Sequence, residues 1–192
     1  ERRTFGSDPQ RVGALAGAFV RGLRAGGVAA TAKHFPGMGA APVNTDDAVV
    51  RIDASADELR ARDEPPFRAA IAAGAELVML ANAVYPALDP DRPASLSRAI
   101  ATGELRGRLG FRGVTITDDL EAGALAPFGG PARVAELGVR AGVDLLLFAG
   151  SYAATERAAA GLERAVAAGR LTRDDLAEGA RRVLALRARL AR

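Results

Sequence analysis

Gly110-Phe111-Arg112-Gly113-Val114-Thr115-Ile116-Thr117-Asp118-Asp119-Leu120 is the stretch on which the reading of this 192-residue chain turns. Glycine at the end of a helical stretch supplies a left-handed exit, Val114 to Thr117 are strand-formers, and two acids come directly after them. Alternation puts Val114 and Ile116 on one face and Thr115 and Thr117 on the other, with Asp118 at the strand tip. The same order of helix end, glycine and short apolar run recurs at Gly26-Gly27-Val28, Gly74-Ala75-Glu76-Leu77 and Gly142-Val143. Strands that alternate with helices imply a parallel sheet with right-handed crossovers.

Working outward, Asp8-Pro9 opens a helix whose Val12, Leu15, Ala16, Phe19, Val20 and Leu23 share one face. Val28 to Ala32 reads as a buried strand ending at Lys33, and a loop of about twenty residues comes next. Ser55 and Glu58 have capping-box spacing at the head of a helix broken at Pro65-Pro66 and continuing to Gly74. Glu76 to Ala81 is the second strand, Tyr85 to Pro93 a loop, and Leu96 to Leu109 a helix weakened by Gly103 and Gly107. After the strand at Val114, Pro131 opens a helix and Val143 to Phe148 is the fourth strand. Two helices close the chain, one from about Ala153 to Ala168 and one opened by Thr172 with Asp174 and Asp175 in its first turn.

Four β/α units are half of an eight-stranded TIM-type β/α barrel, which needs about 250 residues; a small open doubly wound sheet is the alternative. In either fold the carboxyl ends of the strands carry the site, and there the chain puts Lys33-His34, Asn82, Asp118-Asp119 and Ser151. No Gly-x-Gly-x-x-Gly comes after a strand, which argues against a dinucleotide cofactor.

Composition removes other classes. Without cysteine there is no disulfide scaffold or thiolate centre, and a single histidine excludes a multi-histidine zinc site. The net charge is only +3, with arginines interspersed among acids, so no basic stripe for nucleic acid is present. No apolar run approaches the roughly 20 residues of a membrane span, no signal peptide is visible, and the compartment stays open. A chain that starts at Glu1 is expected to be a piece of a longer protein. Of the 26 cationic side chains only Lys33 is lysine, and it precedes the only histidine, His34. In a chain that otherwise uses arginine throughout, this choice suggests a place for a compact donor that a planar fork cannot fill.

Asp118 beside such a pair is a carboxylate able to attack a carbon electrophile, or else Asp118-Asp119 simply caps a helix after the strand. Glycoside cleavage needs a second carboxyl group, for which Asp46 and Asp47 are available. Lys33 as the Schiff-base lysine of a barrel lyase is a further reading.

These stretches closely resemble glycoside hydrolase family 3, in its β-N-acetylglucosaminidase (β-N-acetylhexosaminidase) branch. Lys33-His34-Phe35-Pro36-Gly37-Met38-Gly39 matches a Lys-His-Phe-Pro-Gly-x-Gly segment, and the Gly110 to Leu120 stretch matches Gly-Phe-x-Gly-x-x-x-(Ser/Thr)-Asp-Asp-Leu. Arg3 to Pro9 is similar to the family's Arg-Ser-Phe/Tyr-x-x-Asp-Pro, and Asp89 to Ser95 to its Asp-x-x-x-Pro-Ala-Ser loop. The resemblance implies a retaining double displacement on terminal β-linked N-acetylglucosamine or a related hexose, with Asp118 as nucleophile. It implies that Arg3, Lys33 and His34 bind the sugar and that no metal or organic cofactor is needed. The expected partner is a carbohydrate, a β-glycoside such as one derived from peptidoglycan.

The family's barrel is longer, so residues 1–192 are expected to form its carboxyl-terminal half. The amino-terminal half, with a sugar-binding Asp-Gln-Glu-Gly-Gly segment, is expected to lie outside this chain. One departure stands out. Where the branch carries Asp-Ser-His, with histidine as acid/base, this chain has Asn44-Thr45-Asp46. Either Asp46 is the acid/base, or a residue outside the chain is, or the protein is a carbohydrate-binding relic without efficient turnover. To hold a proton at neutral pH, Asp46 needs burial or a like charge such as Asp47, and loop closure over a substrate would supply the burial.

Overall fold

A computed structural model of the chain describes residues 4–191. Helix α1 (Pro9–Ala25) leads into β1 (Thr31–Phe35). After the long loop come α2 (Ala56–Glu58), a π-helical turn (Leu59–Asp63) and α3 (Pro65–Ala72). Next are β2 (Leu77–Leu80), the short pair β3 (Val84–Tyr85) and β4 (Asp89–Pro93), a π-helix (Ala99–Arg108) and β5 (Val114–Thr117). A 3-10 stretch (Gly123–Phe128) precedes α4 (Pro131–Ala141), α5 (Tyr152–Ala167) and α6 (Arg173–Leu190).

Strands β1, β2 and β5 form a parallel sheet in that order, with Leu77 opposite Val114 and Leu80 opposite Thr117. Consecutive βα units therefore lie side by side, as the alternating pattern predicts. Beneath the sheet Phe35, Val78, Leu80, Tyr85, Ile100, Leu105 and Phe111 make the largest buried cluster, and Phe35 meets Phe67 edge to face at 5.2 Å. Burying each such side chain stabilises the fold by about 1.5–3 kcal/mol.

The local signals hold where they are local. Ser55 and Glu58 form the expected capping box, and Thr172 forms another with Asp175. Asp8 caps α1 by accepting the Arg11 amide. Four expectations shift. The first strand starts three residues late, because Val28 is exposed and the Ala30 amide is taken by the Glu76 carboxylate at 3.0 Å. On α1 the buried positions are Gly13, Gly17 and Val20 while Leu15 and Phe19 face outward. The two glycines bring α1 against α3, where a Cβ on Gly13 would stand 3.2 Å from that of Ala69. The Tyr85 to Pro93 loop contains the antiparallel β3–β4 pair.

Finally, the run from Val143 to Phe148 is no regular strand. It lies parallel to β5 through a single bridge, Ile116 to Leu145, extended by a bond from the Leu120 amide to the Leu147 carbonyl. Side chains complete the rest. Asp144 accepts the Thr115 amide at 2.9 Å, and Thr117 Oγ1 accepts the Leu147 amide at 2.9 Å. The buried Asp144 carboxylate is in turn paired with Arg106 at 2.6 Å and Arg182 at 3.0 Å, which ties α6 to the sheet.

Among the described residues neither β1's outer edge nor the far side of this run has a strand partner. The three strands and one bridged run form a parallel α/β sheet, with no closed barrel among the described residues. No helix among them is long and apolar enough to cross a membrane.

Candidate active site

The carboxyl end of β5 places Asp118 beside the end of β1. His34 Nε2 stands 3.7 Å from Asp118 Oδ2, and both side chains are 18% exposed. The other oxygen, Oδ1, accepts the Asp119 amide at 2.9 Å, while the Asp118 amide donates to the Leu80 carbonyl at 3.0 Å. One face of the carboxylate is thereby fixed by backbone, and the other is left toward His34.

Neither acid caps a helix: the 3-10 stretch that follows has Ala122 at its cap position and no side-chain cap, and Asp119 instead fixes a turn and a loop. Its Oδ1 accepts the amides of Glu121 at 3.0 Å and Ala149 at 3.1 Å, holding the loop after the bridged run. Glu121 extends this anchor by accepting the amides of Gly150 and Ser151 and the Ser151 hydroxyl. The Ser151 amide, foremost among these bonds, holds the Glu121 carboxyl below its usual range.

Asn82 and Ser95 lie behind Asp119, both fully buried. Asn82 donates through Nδ2 to the Asp119 carbonyl at 2.7 Å and accepts the Ser95 hydroxyl on Oδ1 at 2.6 Å. The Asp89 to Ser95 motif thus turns inward to support the strand ends.

The β1 side is arranged differently. Lys33 and His34 fall where the β1–β2 register is irregular, between Ala32 and Phe35, and the Lys33–His34 and Phe35–Pro36 peptides are cis. His34 is brought to Asp118, whereas Lys33 is exposed on β1. Gly37 has φ +142°, and a Cβ there would stand 2.5 Å from that of Asp63, so the turn accepts only glycine. Its carbonyl accepts the hydroxyl of Tyr85, whose ionisation burial pushes far up.

Beyond that knot, Asp46 is exposed and its carboxylate accepts Asn44 Nδ2 at 2.8 Å. The loop backbone nevertheless reaches the β5 side. The Asp46 carbonyl accepts the Gly123 amide at 2.8 Å and the Thr45 carbonyl accepts Ala124 at 3.1 Å. A Cβ on Gly123 would come within 2.8 Å of the Asp46 and Asp47 carbonyls, so glycine is required for this approach. Asp47 is exposed as well, and Arg3 lies outside the described residues.

The structure therefore brings together His34 and Asp118, with Asp46 on the bordering loop and Lys33 on the same strand as His34. Glu121 and Ser95 have no role assigned from the sequence, and Asp119 only that of a helix cap. A signal for Ser95 and for Asp119 is the place of each in a motif; for Glu121 none distinguishes it from a solvated acid.

Residues 1–186 match the family model of the glycosyl hydrolase family 3 N-terminal domain. A β-hexosaminidase of Stenotrophomonas maltophilia is 47% identical over 146 residues, covering 76% of this chain and 43% of that protein. A secreted glycosyl hydrolase of Arthroderma benhamiae, itself uncharacterised, is 44% identical over 98% of this chain and 54% of its own length. Among solved structures, a family 3 β-N-acetylglucosaminidase from a Paenibacillus species superposes with a TM-score of 0.95 at 38% identity, over 98% of this chain and 36% of that one. The chain spans about half the length of the curated relatives it matches. On this match across nearly its whole length, the chain belongs to glycosyl hydrolase family 3.

Proposed function

We propose that the protein containing this chain is a retaining glycosidase acting on terminal β-linked N-acetylglucosamine or a related hexose, with Asp118 as nucleophile. The observation that carries this reading is the state of Asp118. One oxygen is held by the Asp119 amide, and the other stands toward His34 at the mouth of the sheet. Asp118 attacks the anomeric carbon, the bond to the leaving oxygen breaks, and Asp46 delivers a proton to that oxygen. A water molecule, losing its proton to Asp46, then displaces Asp118 and releases the sugar with retained configuration. His34, Lys33 and Arg3 hold the sugar hydroxyls. Because Asp46 is exposed on its loop, its role requires the loop to close over the substrate, which excludes water.

Residues 1–192 are on this reading the carboxyl-terminal half of one β/α-barrel domain. The open edges of the sheet support it, as do the outward apolar side chains Leu15 and Phe19 on α1 and Leu184 and Leu190 on α6. A β-glycoside of peptidoglycan origin is one substrate this chemistry accepts.

In the full-length protein, Asp118→Asn should lower nitrophenol release from an aryl N-acetyl-β-glucosaminide by about 10³-fold or more. An unchanged rate overturns the assignment. Sugar binding by calorimetry with no turnover of any β-glycoside by the unmutated protein would identify a binding relic instead.

A further inference from the structure

Asn82 and Ser95 are buried polar groups at a strand end that the double displacement itself does not use. Asn82 is 1% exposed and Ser95 0%. A buried amide is costly unless its hydrogen bonds are made, so their placement has to be accounted for by what they hold. The Asp119 carbonyl can only accept, so it fixes Asn82 with Nδ2 toward it; the Ser95 hydroxyl, 2.6 Å from Oδ1, then has to donate. No other side-chain bond to the Asn82 amide is present among the described residues, so Ser95 is the one partner that holds its Oδ1 end.

Downstream, Asp119 is the residue whose own amide holds Asp118 Oδ1 at 2.9 Å. Moving the Asp119 backbone moves the hydrogen bond that aims the carboxylate. The relay therefore runs from the Ser95 hydroxyl through the Asn82 amide and the Asp119 backbone to Asp118. It crosses from the β2 end to the β5 end without touching the sugar-facing oxygen.

We infer that Asn82 and Ser95 are positioning residues for the nucleophile, acting through the Asp119 backbone on the attack angle of Asp118. The inference rests on the nucleophile reading above. A misplacement of about 1 Å at a reacting atom costs on the order of 10²-fold in rate, so the pair should govern the chemical step and leave sugar affinity alone.

The test is covalent trapping of the full-length protein with a 5-fluoro-N-acetylglucosaminyl fluoride, read as the rate of labelling and the mass of the labelled peptide. Ser95→Ala should lower the maximal labelling rate about tenfold and Asn82→Ala about 30-fold, with the half-saturating concentration within about twofold of the parent. Because Ser95 acts only through Asn82, the double variant should be no slower than Asn82→Ala. Labelling on Asp118 at the parental rate in Ser95→Ala overturns the inference while leaving the nucleophile in place. Labelling on another residue overturns the nucleophile reading instead. Additive losses in the double variant, or a rise in half-saturating concentration matching the loss of rate, also overturn the relay. Should Asn82→Ala not fold, Ser95→Ala decides by itself, since it removes one buried oxygen and leaves the backbone bond from Ser95 to Ala81 in place.

Discussion

The tips of β5 and β1 face each other across the site, yet they are built on opposite plans. At β5 the acid is fixed from behind. Asp118 takes the Asp119 amide, the Asp119 side chain takes the Glu121 and Ala149 amides, and Asn82 holds the Asp119 carbonyl. At β1 Gly37 is locked between Tyr85 and Asp63, and further on the loop backbone is tied to Gly123 and Ala124 through the Asp46 and Thr45 carbonyls, so that the Asp46 side chain rather than its backbone is the free part. Past it the loop carries Asp46 exposed, with Asn44 on its carboxylate. The difference fits the roles proposed for the two acids. A nucleophile must meet one atom along one line, which demands a rigid mount. A proton donor has to admit the sugar first and be buried afterwards, which demands a mount that moves.

Leaving-group dependence separates the two tips. Asp46→Ala should lower kcat/KM for natural disaccharides by about 10²-fold or more, and for nitrophenyl glycosides by less than about fivefold, because kcat/KM reports the step in which the leaving group departs and a good leaving group needs no proton. Equal slowing of both would move Asp46 out of the acid/base role. Asp119→Ala should act the other way, lowering kcat by about 10- to 100-fold on both substrates alike, since it disturbs the mount of the proposed nucleophile. It also removes two charge-assisted bonds, so denaturant unfolding should show a loss of about 1–3 kcal/mol. A leaving-group-dependent effect of Asp119→Ala would erase the contrast between the tips.

The smallest effect concerns the outer anchor of β5. The Glu121 carboxyl is held below its usual value by the Ser151 amide, and its folded-state pKa is therefore depressed. Its contribution is present above the unfolded value and is lost as pH falls through the folded one. Glu121→Gln should accordingly lower the unfolding midpoint slightly at about pH 7, by an amount that shrinks as pH falls. A difference that grows toward acid would contradict this sign.

Legibility in the sequence tracked the range of each interaction. The caps at Ser55 and Thr172 sit within three residues of their partners, and they form as read. The fourth strand misled because its apolar run has strand composition, while the ladder it would need is replaced by Asp144, Thr115 and Thr117. Those partners lie about thirty positions away in the chain. The buried face of α1 was misjudged because Gly13 and Gly17, which carry no hydrophobic signal, are the contact with α3. The β3–β4 pair was hidden by Pro90 and Pro93, residues that argue against strand. In the site, His34 and Asp118 were readable as neighbours because both end parallel strands. The Asn82–Ser95 support was not, since it depends on the chain at Ala94 and Ser95 returning to the carboxyl end of β2.

The central claim is that Asp118 forms the covalent bond to the sugar. Replacing it by glycine leaves a space that a small external nucleophile can enter, so the full-length Asp118→Gly protein is incubated with an aryl N-acetyl-β-glucosaminide and azide. Almost no turnover is expected without azide, and with azide the release of nitrophenol together with an α-configured glycosyl azide, identified by NMR. A β-configured azide, or hydrolysis at the parental rate without azide, would contradict the claim.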